Sequence, residues 1–147
     1  MNKKNKKLKI AIAGLGFGKK VHLEALKESD YLTPVAFYHY QKTQKSTVQK
    51  ETGLEFFHNW EDLVKSPEID GIIIATPPES RFKLAKQALE NNKNLLLEKP
   101  VSISSSEIEE LQRISLINNL SVCVDFEYRA VPLFLQTKKL IDKNILG

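Results

Sequence analysis

The stretch IAIAGLGFGKKVH, residues Ile10 to His22, joins an apolar run to a helix-like segment through Gly14, Gly16 and Gly18. Residues of this type and spacing can hold a pyrophosphate. Gly14 allows a tight turn, and Gly16 lets an anion come close to the backbone. A helix starting near Gly18 would aim unpaired N–H groups at the charge. Leu15 and Phe17 complete the loop. Lys19 stands where the usual dinucleotide spacing has a third glycine. With that lysine turned outward, Gly18 can supply the close helix–strand contact. The same turn without a ligand would be a plain strand-to-helix connection.

A second group follows VAFY. His39, Tyr40, Gln41, Lys42 and Lys45 include no acid, where an NAD-preferring protein places one to bind the ribose hydroxyls. An acid would repel a 2′-phosphate, whereas Lys42 with the hydroxyl of Tyr40 or the imidazole of His39 would attract it. The segment therefore favours NADP over NAD. A solvated basic helix start is the alternative for Lys42 and Lys45.

Two further groups end apolar runs. In DGIIIATPPES, Thr76 and Pro77 leave the run stiffly and Arg81 opens the next helix. In NLLLEKPVS, Glu98 and Lys99 stand side by side after three leucines. Opposite charges at the mouth of a buried strand are costly unless paired or facing a ligand. The dipeptide is thus a candidate site, with a surface ion pair as the alternative.

Something must bring these groups together, and the hydrophobic pattern indicates what. Strands are predicted at Lys9–Ala13, Val35–Tyr38, Glu55–Phe57, Gly71–Ala75, Asn94–Leu97 and Val122–Phe126, with helical patterns between them. Continuously apolar runs suit strands covered on both faces. Asn59 is expected to cap a helix through WEDLV, and Gly53 to close the helix before it. Leu84, Ala85, Ala88 and Leu89 share one helical face, as do Ile108, Leu111 and Ile114 behind a capping box of Ser104 and Glu107. This alternation predicts an α/β fold of three layers, α/β/α, with a doubly wound, mostly parallel sheet. In such a sheet ligands bind at the carboxyl ends of the strands, where all four groups lie.

Composition narrows the function classes. The chain has 147 residues, 41% hydrophobic and 27% charged, which suits one soluble globular domain. The net charge of +4 owes much to five lysines in the first nine residues. Residues 1–8 read as a solvated basic tail, so no nucleic-acid partner is expected. Only Leu8 and Ile10 are apolar before Ala11–Ala13, too little for a secretory signal, and no window suits a membrane span. The lone Cys123 fits a reducing cytoplasm and, in SVCVDF, a buried position. His22, His39 and His58 show no ligand-like spacing with each other or with Cys123, so no metal site is expected.

Taken together, GLGFG, DGIIIATPP, ALENNKNLLLEKPVS and YRAVP resemble the Gfo/Idh/MocA oxidoreductases from about Lys9 to Gly147. The resemblance implies an N-terminal Rossmann fold over residues 9–130 and an NAD(P)-dependent oxidoreductase acting on sugars, cyclitols or related small molecules. It implies that Gly14, Gly16 and Gly18 form the phosphate loop and that the segment after Tyr38 meets the adenosine ribose. Thr76 and Pro77 would run past the cofactor, and Glu98 and Lys99 would lie near the nicotinamide ribose. Lys99 would polarise or protonate the substrate oxygen, a sensible role because hydride transfer to a carbonyl builds negative charge there. Arg129 would lie near the cofactor's outer edge. Arg81 departs from the family, which often has histidine there. Family members continue past LIDKNILG into a substrate domain. Residues 131–147 are therefore expected to lead towards that missing part, and the bared surface to favour self-association.

Two other readings remain at this point. Gly-x-Gly-x-Gly after a first strand also serves adenosylmethionine in methyltransferases, although the ribose-binding acid and an Asn/Asp-Pro-Pro-aromatic loop are both missing. A non-catalytic NADP-binding sensor or truncated relic is the other.

Overall fold

In the computed structural model, which describes residues 6–145, six parallel strands form one sheet in the order β3-β2-β1-β4-β5-β6. The strands are β1 (Leu8–Ala13), β2 (Leu32–Tyr38), β3 (Glu55–Phe57), β4 (Gly71–Ile74), β5 (Asn94–Glu98) and β6 (Val122–Asp125). The order reverses between β1 and β4. That is the switch point at which doubly wound sheets open a crevice beyond their strand ends. Residues Met1 to Asn5 of the basic tail lie outside the described residues, and the first strand already begins at Leu8.

Side-chain alternation along each strand splits the interior into two cores. Ile10 and Ile12 join Phe37 and Ile73 on one face. There Leu23 and Leu26 of α1 (Leu23–Lys27) and Val48 of α2 (Lys45–Thr52) cover them. Ala11, Ala13, Ile72, Ile74, Leu95 and Leu97 point to the other face. They meet α3 (Trp60–Lys65), α4 (Pro78–Glu90) and α5 (Ser105–Ile117). Both faces are covered, which is why the strands could be continuously apolar.

Local signals act largely as expected. Gly53 ends α2 at φ +71°, and Asn59 Oδ1 accepts from Glu61 N at 2.9 Å. β2 begins earlier than its apolar run because Pro34 is accommodated by a register shift between Ile10 and Ala11 of β1. The capping box at Ser104 does not form. Ser104 is the N-cap residue, but its hydroxyl pairs with Ser106, while the Glu107 carboxylate accepts from Ser102. Ile108 is 45% exposed, so the buried stripe of α5 is Leu111 and Ile114. Cys123 is exposed rather than buried, because β6 is the edge strand and α5 covers only one of its faces.

The final helix, α6 (Pro132–Asp142), follows a short 3-10 turn at Glu127–Ala130 and contributes no buried residue. Among the described residues no helix is long and apolar enough to cross a membrane.

Candidate functional site

The carboxyl ends of β1, β2 and β4 open on a cleft of about 700 Å³, a size that suits a small ligand. Gly14, Leu15 and Gly16 line it just past β1, His39 and Tyr40 just past β2, and Thr76 and Pro77 just past β4. Parallel strands deliver these residues together because each connection starts at the same edge of the sheet.

The three glycines do three different jobs. Gly14 has φ +112°, and a Cβ there would lie 2.5 Å from the Ala75 carbonyl oxygen. Only glycine lets β1 turn away so close to the β4 end. At Gly16 an added Cβ would meet nothing within 4 Å, so its bareness serves open space rather than packing. A Cβ on Gly18 would lie 2.7 Å from Ile12 Cγ2, which fits the close helix–strand contact. The π-type turn Gly18–His22 then runs straight into α1. Lys19 is turned away and pairs with Glu51 of α2 at 2.6 Å, so it leaves the loop undisturbed. The bare Gly16 backbone and the following helix start fit an anionic phosphate group.

At the β2 end, the His39 and Tyr40 rings stack with centroids 4.7 Å apart. Gln41 N donates to His39 Nδ1 at 3.2 Å, which leaves the imidazole proton on Nε2. Lys42 is exposed and begins the turn Lys42–Gln44 beyond the cleft lining. Tyr38, Ala75, Glu79, Ser80 and Leu84 also line the cleft, and the sequence reading missed them. Three of these come from the first two turns of α4, which the strand-end rule does not single out. Ser80 Oγ donates to the Pro77 carbonyl at 3.0 Å and contacts Thr76 Oγ1 at 3.1 Å, holding that loop. Burial pushes the Tyr38 phenol above its ordinary value.

Lys99 and Arg129 lie apart from this cleft. With Phe126, Glu127 and Tyr128 they line a hollow of about 520 Å³ beyond β5 and β6. Lys99 Nζ is 3.1 Å from Glu127 Oε1. That contact raises the Lys99 ammonium above the usual lysine value and holds the Glu127 carboxyl below its usual range.

Glu98 does not pair with Lys99 and does not line the cleft. Successive side chains at a strand end point to opposite sides, and Glu98 turns inward, 8% exposed, to meet His22 Nε2 at 2.8 Å. The Glu98 carboxylate thus has an interior partner rather than Lys99. Asp125 Oδ2 lies 3.8 Å from the same His22 nitrogen. The ligand atoms of His22, Glu98 and Asp125 all lie within 4.8 Å of one another, a grouping that His and Cys spacing could not reveal. Phe17 packs edge-on against the His22 ring at 5.3 Å and is 45% exposed.

Arg81, where the resembled family often has histidine, is 4% exposed. Its Nη1 donates to the Glu98 carbonyl at 2.5 Å and to the Pro100 carbonyl, and its Nη2 donates to the Thr76 carbonyl. Burial pulls the guanidinium below its ordinary value.

Comparison with known proteins agrees with this geometry. An uncharacterized oxidoreductase of Synechocystis sp. is 34% identical over 145 residues, covering 98% of this chain and 39% of that protein. Glucose-6-phosphate 3-dehydrogenase of Bacillus subtilis is 30% identical over 139 residues, covering 95% of this chain and 39% of that protein. The structure of scyllo-inositol dehydrogenase from Lactobacillus casei with NAD(H) and scyllo-inositol superposes with a TM-score of 0.87 at 26% identity. That match covers 97% of this chain and 43% of the solved one. The chain thus spans about two-fifths of the length of these relatives. Residues 8–126 match the oxidoreductase family with an NAD-binding Rossmann fold, which sets the methyltransferase reading aside. The chain belongs to the Gfo/Idh/MocA family, as a nucleotide-binding Rossmann domain.

Proposed function

We propose that this chain is the nucleotide-binding half of a dehydrogenase or reductase that moves hydride between NADP and a small sugar- or cyclitol-like carbonyl or alcohol. The observation that carries the reading is Gly16, bare of neighbours, at the head of a helix on the switch-point cleft. In this reading the pyrophosphate lies against the Gly14–Gly18 turn, with the adenosine end by His39 and Tyr40 and the nicotinamide end past Thr76 and Pro77. The hydride chemistry belongs to the nicotinamide ring when the cofactor is bound. The protein's part is to hold the ring and, through the Lys99 ammonium, to stabilise charge developing on the substrate oxygen.

The preference for NADP rests on the β2 end. His39 Nε2–H and the exposed Lys42 can meet a 2′-phosphate, and no carboxylate stands among residues 39–45 to repel it. Substrates named for the relatives are cyclitols and sugar phosphates, and that class is carried over here.

Titration of the purified chain with NADPH, NADH and adenosylmethionine tests this reading, with nucleotide fluorescence and thermal midpoint as readouts. NADPH should bind and raise the midpoint, and adenosylmethionine should do neither. Lys42→Glu should weaken NADPH roughly tenfold, about 1.4 kcal/mol, while changing NADH by less than about twofold. Equal losses for both would remove the 2′-phosphate assignment. No binding of either dinucleotide would remove the function.

A further inference from the structure

The turn that presents Lys99 is fastened by two buried side chains from distant parts of the chain. Arg81, in the first turn of α4, holds the carbonyls of Glu98 and Pro100, the residues on either side of Lys99. The same guanidinium holds the Thr76 carbonyl in the loop that leaves β4. His22, at the end of the turn that follows the glycine loop, holds the Glu98 carboxylate at 2.8 Å. Lys99 itself reaches out, its side chain 45% exposed, and has Glu127 as its ion-pair partner.

Burying a guanidinium is expensive, and an apolar residue would serve α4 packing better. Among the described residues, Arg81 donates to three neutral carbonyls and to no carboxylate, and its Nε is left without a partner. That use of the fork makes sense only if the gap between the β4 and β5 loops has to be held. A lysine ammonium on a flexible stem could not span the same three acceptors. His22 adds the third anchor, joining the helix behind the glycine loop to the strand behind Lys99.

We infer that Arg81 and His22 are positioning residues: they brace the Glu98–Pro100 turn against the β4 end and the glycine-loop helix, so that Lys99 is held at a fixed place. The part this plays in a reaction rests on the nicotinamide reading of the cleft, but the brace itself is testable without any cofactor. It also means that the loop reading the phosphates and the residue facing the substrate are parts of one rigid unit.

The test is an NMR titration of Lys99 in the full chain, assigned through Lys99→Arg, alongside thermal unfolding. The variants are Arg81→Lys, His22→Leu and His22→Gln. In Arg81→Lys and His22→Leu, the Lys99 titration should move down towards that of an ordinary lysine, because the pair with Glu127 is no longer held. His22→Gln keeps a donor near the position of Nε2 and should retain the displacement. A residue that merely stabilised the fold would lower the unfolding midpoint and leave the Lys99 titration unmoved. An unmoved Lys99 in folded Arg81→Lys or folded His22→Leu would overturn the inference. Should Arg81→Lys fail to fold, the two His22 variants decide the matter. NADPH binding by the wild-type chain, measured in parallel, separates the two proposals: a chain that binds no nucleotide yet shows these Lys99 responses loses the cleft reading and keeps the brace.

Discussion

Gly14 and Gly16, two residues apart, show how residue-scale physics separates fold from function. Gly14→Ala forces a Cβ into the Ala75 carbonyl at φ +112°. Strain and overlap together should cost about 3 kcal/mol in urea unfolding. Gly16→Ala meets no neighbour, so stability should stay within about 0.5 kcal/mol, while NADPH affinity should fall at least about tenfold. If Gly16→Ala bound as tightly as the wild type, the backbone there would not be where the phosphate rests. At Lys99 the relevant quantity is charge. The ion pair favours the ammonium of Lys99 and the carboxylate of Glu127, raising one pKa and lowering the other. The Glu127 contribution is present above the ordinary carboxylate range and is lost as pH falls through its lowered value. The Lys99 contribution is present below the ordinary lysine value and is lost as pH rises through its raised value. The pair should therefore persist throughout the neutral range. Glu127→Gln should lower Lys99 towards the ordinary lysine value in the same NMR titration, and an unchanged Lys99 would show that some other group holds its proton.

At the scale of elements, the strand ends are set by a few polar residues placed inside the protein. Lys93 is 7% exposed, and its Nζ donates to the Ser66 and Ile69 carbonyls at 2.7 Å each. It ties the corner between α4 and β5 to the connection entering β4. Burial lowers its pKa, against the pull of the Asp70 charge, and the two carbonyls help the interior tolerate this ammonium. Lys93→Met keeps the stem but orphans two acceptors and should cost about 2–3 kcal/mol in denaturant unfolding. A neutral result would mean that water satisfies those carbonyls. Most elements could be read from the chain, because period and punctuation are local properties: Gly53 and Asn59 act as their types predict. The capping box at Ser104 could not, because Ser102 competes for the Glu107 carboxylate and only the loop's path brings it close enough.

For the whole molecule, the sheet order and the two cores account for stability within β1 to β6, while α6 stands outside both. Its Leu133, Phe134 and Leu135 are exposed, and the helix buries none of its residues. Ending the chain after Ala130 should therefore leave the unfolding free energy within about 1 kcal/mol and NADPH affinity unchanged. A large loss in either would show that α6 supports the nucleotide cleft. What the sequence by itself determined was the alternation of strands and helices, the glycine turn and the residues at the strand ends, because hydrophobic period and backbone freedom are written residue by residue. Only the tertiary structure decided which strand-end charge faces outward and which is buried. It turned Glu98 in to His22 and spent Arg81 on carbonyls. Those partners lie 76 and 17 to 19 residues away for Glu98 and its turn, and no local pattern encodes a contact that exists only once the sheet has assembled.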